Sequence, residues 1–151
     1  NPLSTLKFTN CHLQNCSINS KCSSAGLVSY ASCKDVIVFD CSLQYCDVVS
    51  SSEVVTDGIG GLVGESGSAC FNKCIVENST ISCVSPSGKV GGLIGYAPKD
   101  ASITECCVKN TSIYSANSAG GLIGSSNNVS IEKSNVINCV ITKIIKKFVH
   151  L

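Results

Sequence analysis

Apolar and small residues recur in one fixed order at five places along the chain. Each segment begins with an apolar residue, has Cys or Ser three positions later, and has a second apolar residue two positions after that. A further small residue and a third apolar residue complete the order. Apolar and polar positions therefore alternate as they do in a half-buried β-strand. The five segments are residues 8–18, 38–48, 71–81, 103–113 and 131–141.

A second repeat, rich in glycine, lies between these segments. The sequence Gly-Gly-Leu-Val/Ile-Gly begins at Gly60, Gly91 and Gly120, and a degenerate copy begins at Ala25. Similarity at intervals of about 30 residues indicates a repeat architecture. Turn-forming stretches such as residues 85–89 separate the short strands, and no single repeat could bury its apolar face alone.

Together the two repeats predict an all-β fold, a β-solenoid (β-helix) of about five rungs of ~30 residues each, stacked about 4.8 Å apart. Paired glycines would permit backbone conformations and close approaches that a Cβ atom forbids. These glycines match neither a phosphate-binding loop nor a dinucleotide fingerprint, so we assign them a structural role. The pairs are Gly60 and Gly61, Gly91 and Gly92, and Gly120 and Gly121, and the adjoining inward ladder is Leu27, Leu62, Leu93 and Leu122.

The glycine cores, each followed by a segment such as residues 103–107 (ITECC) or 131–135 (IEKSN), resemble the GLUG-motif repeats. The resemblance covers roughly residues 25–141. Repeats of that family occur in large secreted and cell-surface proteins, among them adhesin-like proteins and some bacterial immunoglobulin-A peptidases. The resemblance implies a stalk or spacer module rather than a catalytic one. The high cysteine content distinguishes this chain from most bacterial copies.

Charge and composition exclude several classes of function. The net charge is +1, and all eleven basic residues are lysines, so the chain lacks the bidentate arginine fork that binds phosphates and guanine edges. Aromatic residues make up only 5% of the chain, too few for a base-stacking platform. No apolar run reaches the ~20 residues of a membrane span. We therefore expect neither nucleic-acid binding nor a membrane span.

Twelve cysteines in 151 residues are typical of secreted rather than cytosolic proteins. Zinc is not expected, because the chain has only two histidines and no Cys-x-x-Cys pair. We also expect no other metal or cofactor. The chain begins at Asn1 without a recognisable signal peptide, so we expect a processed or partial chain that is secreted or exposed at the cell surface.

The small residues of the five segments would form two columns in a stack of rungs. Column mates near 4.8 Å apart lie within the range that a disulfide tolerates, which makes Cys11–Cys41, Cys16–Cys46 and Cys74–Cys106 candidate bridges. The alternative is that these positions accept any small buried group, because Cys exchanges with Ser and Thr there. The columns are Cys11, Cys41, Cys74, Cys106 and Ser134, and Cys16, Cys46, Ser79, Thr111 and Cys139.

Four Asn-x-Ser/Thr sequons predict N-glycans, at Asn15, Asn78, Asn110 and Asn128. The first three share one column with Tyr45 and Asn138, whereas Asn128 is predicted to lie in a loop and is the favoured single candidate. The alternative for the column is that Asn is chosen for a left-handed corner or for a side-chain ladder.

Residues 141–151 follow helical spacing, with apolar positions on one side and lysines on the other. We therefore divide the chain into a solenoid of residues 1–140 and a tail of residues 141–151. The preferred interpretation is a short helix that caps the last rung. A basic helix at a membrane surface and a final strand are the alternatives.

Catalysis is not expected, because the acidic residues are isolated and the two histidines, His12 and His150, lie far apart in sequence. The leading function is structural: a subunit or segment of an extracellular filament, coat or stalk that is N-glycosylated and assembles head to tail. The alternative is an adhesin or binding module that recognises glycans or a host surface. Against it, the four tyrosines are spread over four repeats and form no aromatic platform.

Overall fold

The structure, a computed structural model, describes residues 4–51 and 58–144, apart from the side chains of residues 32 and 33. Within these residues the chain forms eighteen β-strands and no helix. The strands are β1 (Thr5–Thr9), β2 (His12–Gln14), β3 (Ser17–Ser20), β4 (Val28–Phe39), β5 (Ser42–Gln44), β6 (Asp47–Ser50), β7 (Gly58–Gly60), β8 (Val63–Asn72), β9 (Ile75–Glu77), β10 (Thr80–Cys83), β11 (Lys89–Gly91), β12 (Ile94–Thr104), β13 (Cys107–Lys109), β14 (Ser112–Ser115), β15 (Ser118–Gly120), β16 (Ile123–Glu132), β17 (Asn135–Ile137) and β18 (Val140–Lys143).

The strands form four parallel sheets that run along the stack. The long sheet has the order β1-β4-β8-β12-β16, the short sheet β2-β5-β9-β13-β17, the third sheet β3-β6-β10-β14-β18, and the glycine sheet β7-β11-β15. Each rung adds one strand to the long, short and third sheets, and the three middle rungs also add one to the glycine sheet. The prediction of an all-β solenoid is confirmed. The coil has about 4 turns of about 31 residues, and these turns connect the five stacked segments.

Register between rungs follows the repeated segments. In the long sheet Phe8 pairs with Val38, Val38 with Phe71, and Phe71 with Ile103, so the first apolar positions form one column. Equivalent columns pass through Leu43 in the short sheet and Val48 in the third sheet. In the middle rungs these side chains are fully buried, and together they form one continuous core along the coil axis. Removal of this apolar surface from water is what holds the rungs together.

The glycine cores stack as predicted. Gly61 donates its N–H to the carbonyl of Gly92 at 3.1 Å, and Leu62 donates to Leu93 at 3.1 Å. A Cβ atom on Gly92 would collide with the carbonyl oxygen of Gly121 and with the side chain of Val108. No described glycine has a positive φ. The glycines are therefore required for close approach between rungs, whereas their conformational freedom is not used.

The prediction for the C-terminal residues is partly wrong. Residues 141–143 belong to β18, which pairs with β14 and begins at Val140, so the proposed boundary after residue 140 falls inside a strand. The alternative of a final strand is correct for these residues. Both Val140 and Ile141 are apolar and β-branched, which favours an extended backbone over a helix. Residues 145–151, on which the rest of the proposed cap depends, lie outside the described residues.

We expect Gly92→Ala to lower the free energy of unfolding by about 1–3 kcal/mol, because the new methyl group must displace the backbone of the next rung. Chemical denaturation followed by circular dichroism would measure the loss. Ser130→Ala, on the exposed outer side of β16, is the control and should change the stability little. Equal stability of both variants and the wild type would contradict the close contact between the glycine cores.

Candidate functional site

The two corners of the short sheet are the most regular feature of the molecule. In every rung the strand of the short sheet lies between two residues in the left-handed conformation, one before the strand and one after it. Their φ angles lie between 49° and 55°. The first corner contains Asn10, Asp40, Lys73, Glu105 and Lys133, and the second contains Asn15, Tyr45, Asn78, Asn110 and Asn138. Asn and Asp tolerate this conformation better than other non-glycine residues. Five Asn and one Asp among ten positions therefore fit the backbone requirement.

Each corner residue is followed by a small residue whose side chain completes the turn. Cys41 Sγ donates to the carbonyl of Phe39 at 3.3 Å, and Ser79 Oγ donates to the carbonyl of Glu77 at 2.8 Å. The same atoms accept an N–H from the preceding rung, from Cys11 at 3.4 Å and from Cys46 at 3.1 Å. Because thiol and hydroxyl groups can both donate and accept, Cys, Ser and Thr are interchangeable at these positions. The small-group interpretation explains the columns.

The candidate disulfide partners lie in neighbouring rungs of their columns, and the structure has all eleven described cysteines as free thiols. Cys74 and Cys106 are buried neighbours in one column, and Cys106 Sγ accepts the N–H of Cys74 at 3.4 Å. The interaction between the two thiols, with burial, raises the pKa of Cys74, and the same interaction lowers the pKa of Cys106. Burial raises the pKa of Cys41 and of Cys46. A raised pKa disfavours the reactive thiolate. The three bridges remain predictions.

The sequons fall into two structural classes. Asn15, Asn78 and Asn110 occupy the left-handed second corner, as their shared column predicts, and Asn15 and Asn110 are exposed. Asn128 was predicted to lie in a loop, and this prediction is wrong because the residue lies within β16. Its Nδ2 atom donates to Asp100 Oδ1 at 3.0 Å. Asn15 and Asn110 are therefore better placed to carry a glycan than Asn128.

A ladder of polar side chains on the outer face of the short sheet was not recognised in the sequence. Gln14 donates to Gln44 at 2.6 Å, Gln44 hydrogen-bonds to Glu77, and Lys109 forms an ion pair with Glu77 at 2.8 Å. These residues occupy one position of the repeated segment, so the alignment of the repeats contains the signal. The ladder links four consecutive rungs at the surface.

A surface groove with a volume of about 460 Å³ lies on the long sheet near its bulges. Asp35, Asp100 and Asn128 line it, over a floor that includes Ala69 and Ala101. Asp35 pairs with Ser68, and Asp100 pairs with Asn128. Because Ala69 pairs with Ala101, the two carboxylates lie in one column of this surface, two rungs apart. Asp35, Ser68, Asp100 and Asn128 each lie three residues before a repeated segment, so the alignment of the repeats contains the signal for this column. The bulges lie on the N-terminal side of these residues.

The described residues at the C-terminal end of the coil expose inward-facing apolar side chains. Ile131 is 48% exposed, Val136 is 42% exposed and Ile141 is 46% exposed. Their column mates one rung earlier, Ile103, Val108 and Ile113, are 0% exposed. The difference arises because a following rung covers each earlier position. No described rung follows this end rung, so one more rung stacked there would cover its apolar side chains.

Metal ligands do not cluster in the described part of the chain: no three His, Cys, Asp or Glu side chains lie together as a metal ion would need. His12 Nδ1 instead hydrogen-bonds to Ser42 Oγ at 2.8 Å. Among residues 4–51 and 58–144, no helix is long and apolar enough to cross a membrane.

Comparison with protein-family models, curated proteins and solved structures finds no match to this chain. The resemblance to the GLUG-motif repeats therefore remains a prediction based on the residues alone. What bears on the function is the solenoid itself, its corners, its outer faces and its end rungs.

We expect Cys106→Ser to be tolerated within about 1 kcal/mol, because Ser134 already makes the equivalent hydrogen bonds one rung later. Cys106→Val should cost about 2–4 kcal/mol, because it leaves the Cys74 N–H and the Thr104 carbonyl without their partner. Thermal and chemical unfolding under reducing conditions would measure both. If the serine variant is as unstable as the valine variant, the corner hydrogen bonds are not the reason for cysteine.

The same pair of variants tests the oxidised alternative when the protein is kept without reductant. A Cys74–Cys106 bridge would make Cys106→Ser cost about 2–4 kcal/mol only under non-reducing conditions. Mass spectrometry of peptides after alkylation would show directly whether either thiol is blocked.

After passage through a eukaryotic secretory pathway, we expect glycans at Asn15 and Asn110 in preference to Asn128. The two corner side chains point into solvent, whereas the amide nitrogen of Asn128 is engaged by Asp100. Enzymatic deglycosylation in ¹⁸O-labelled water followed by peptide mass spectrometry would measure the occupancy of each sequon. Occupied Asn128 with empty corner sequons would contradict this order.

Proposed function

We propose that this chain is a structural element of an extracellular filament, coat or stalk, in which copies stack head to tail. The observation that carries the proposal is the exposed end rung, in which Ile131, Val136 and Ile141 face along the coil axis and no other described rung covers them. A second copy whose first rung continues the coil would bury them. Such a contact joins two different surfaces and does not close on itself, so it generates a filament.

The first described rung matches the last one position by position. In a continued stack Phe8 of the next copy would lie on Ile131, Leu13 on Val136, and Ile18 on Ile141. The four side chains Leu6, Phe8, Leu13 and Ile18 are only partly buried in the single chain. Apolar residues at both ends thus have the same spacing, which supports a junction with the register of the rungs within the chain.

Backbone geometry supports the same junction. Both end rungs keep the left-handed corners of the middle rungs, with φ of 54° at Asn10 and Asn15, 49° at Lys133 and 51° at Asn138. Within residues 4–51 and 58–144, the strands β1, β2 and β3 at one end, and β16, β17 and β18 at the other, each have a single neighbour in their sheets. Their free edges can therefore pair with another copy without rearrangement.

An extracellular location is supported by composition and by the corners. A high cysteine content is common in secreted proteins and rare in reducing compartments. Asn15 and Asn110 are exposed at corners, where a glycan would meet solvent. N-glycosylation would keep the sides of a filament soluble while its ends remain free to stack.

A glycan- or surface-binding module is the second candidate, and the groove on the long sheet favours it. Asp35, Asp100 and Asn128 supply hydrogen-bonding groups around a floor of small residues, a combination that suits a polyhydroxylated ligand. The groove lacks an aromatic residue among its lining groups. We therefore place binding behind the structural role.

Ile131→Lys combined with Val136→Lys should abolish head-to-tail assembly, because two charges would be buried at the junction. Both side chains are already exposed in the single chain, so its stability should change by less than about 1 kcal/mol. Negative-stain electron microscopy and light scattering over a range of concentrations would measure assembly. Thr142→Lys, on the exposed outer side of the same rung, is the matched control and should assemble like the wild type.

Single particles of the wild type at every concentration would overturn the filament proposal. Specific glycan binding that Asp100→Ala removes would then support the groove as the functional surface. Filaments that persist in the double-lysine variant would show that assembly uses a different surface from the end rungs.

A further inference from the structure

We propose that the outer face of the short sheet binds the same face of a second copy in antiparallel orientation. This surface, the ladder face, consists of β5, β9, β13 and β17 with their two corners. The partner is a second copy of this chain, and the contact is lateral. It is therefore independent of the head-to-tail junction and uses none of the end-rung side chains named for it.

The first corner of the ladder face has charges of alternating sign. Asp40, Lys73, Glu105 and Lys133 follow one another in consecutive rungs, and all four are exposed. Among the described residues the one ion pair is Lys109 with Glu77, so these four charges make none. The column therefore presents the order negative, positive, negative, positive along the coil axis.

Backbone requirements do not explain these residue types. All four positions are left-handed, where Asn, Asp and Gly are the favoured residues, and Lys or Glu costs on the order of 1 kcal/mol more. The second corner obeys the preference, with Asn at four of its five positions. Lys73, Glu105 and Lys133 do not. Their side chains, rather than their backbone, are thus the reason for their presence.

When the column is read in the opposite direction, every charge is replaced by the opposite charge. Two copies of the column placed antiparallel therefore bring opposite charges together. The two copies are related by a twofold axis that runs parallel to the strands and passes between the rungs of β9 and β13. Each column of one copy then faces the same column of the other copy, with the order of the rungs reversed. Asp40 then faces Lys133 of the second copy, and Lys73 faces Glu105 of the second copy. Each contact occurs twice, as an isologous interface requires. Four opposite-charge pairs result from one column.

The polar ladder obeys the same symmetry. Glu77 and Lys109 occupy the two central rungs, so each would face the opposite charge of the second copy. Ile75 and Cys107 lie between the two charged columns and are themselves register partners. Ile75 is 37% exposed and would face Cys107 of the second copy at the centre of the contact. A small apolar centre with a charged rim is typical of specific interfaces.

The contact is expected to be weak. The ladder face measures roughly 15–20 Å in each direction, from about 3.3 Å per residue along a strand and about 4.8 Å between rungs. That footprint is smaller than the ~800 Å² per partner of a stable complex. Exposed ion pairs contribute little individually and are screened by salt. We therefore expect a reversible dimer at low ionic strength.

Glycans on the second corner would prevent this pairing. Asn78 and Asn110 border the ladder face in the two central rungs, so a sugar on either would lie between the copies. The pairing is therefore expected of the chain without glycans at these positions. Protein made without glycosylation, under reducing conditions that exclude disulfide-linked dimers, is the material for the test.

Sedimentation velocity of this protein should show a dimer in about 0.05 M NaCl that dissociates at about 0.5 M. The test uses protein that also carries Ile131→Lys and Val136→Lys, because these substitutions remove head-to-tail assembly. A dimer seen in this protein therefore reports on the lateral contact alone, whether or not the filament proposal holds. Lys73→Glu and Glu105→Lys, each alone, should remove the dimer, because each creates two like-charge contacts. Lys99→Glu, an exposed charge reversal away from the ladder face, is the control and should leave it intact.

Mixing the two single variants gives the decisive result. Lys73→Glu in one copy and Glu105→Lys in the other restore every opposite-charge pair, so a heterodimer should form although neither variant dimerises alone. Charges that pair only along their own column cannot be rescued by mixing. A wild type that stays monomeric at low salt, or a mixture of variants that does not associate, would overturn the proposal.

Discussion

The structure depends on turning the backbone twice in every rung without leaving polar groups unpaired. Each short strand is flanked by left-handed residues, and the next small side chain both donates to a carbonyl of its own rung and accepts an N–H from the preceding rung. The amide of the corner residue itself bonds to the following rung, as from Asp40 to Asn72 at 3.0 Å. An unpaired polar group buried at these turns would cost about 1–3 kcal/mol. The parallel columns therefore follow from the corners.

Much of this arrangement is visible in the sequence because the same constraint acts on every repeat. The apolar order of residues 8–18 and its four copies predicts the columns in the long, short and third sheets, and the leucine ladder follows from the glycine cores. Identical corners require identical spacing, so alignment of the repeats predicts three-dimensional neighbours. The exchange of Cys for Ser and Thr is explained only once the two hydrogen bonds of each side chain are known.

Features outside the constant spacing could not be predicted. The stretches between the glycine cores and the repeated segments differ in length, so the bulges that precede Asp35 and Asp100 leave no periodic signal. Asn128 illustrates this point, because its strand and its bond to Asp100 both come from tertiary pairing. The helical spacing of residues 141–143 was likewise overridden by pairing with β14. Pairing with the exposed edge of a sheet can therefore decide the conformation of a segment whose local sequence pattern favours a helix.

Every column of the solenoid depends on one feature: each rung is bonded to the next in parallel register through its corners. Scalar couplings across hydrogen bonds, measured by NMR on isotope-labelled protein, test it most directly. We expect a coupling between the amide nitrogen of Asn78 and the carbonyl carbon of Lys109, and another between Asp40 and Asn72. Couplings from these amides to carbonyls a few residues away in sequence, as in antiparallel hairpins, would contradict the solenoid and everything inferred from its columns.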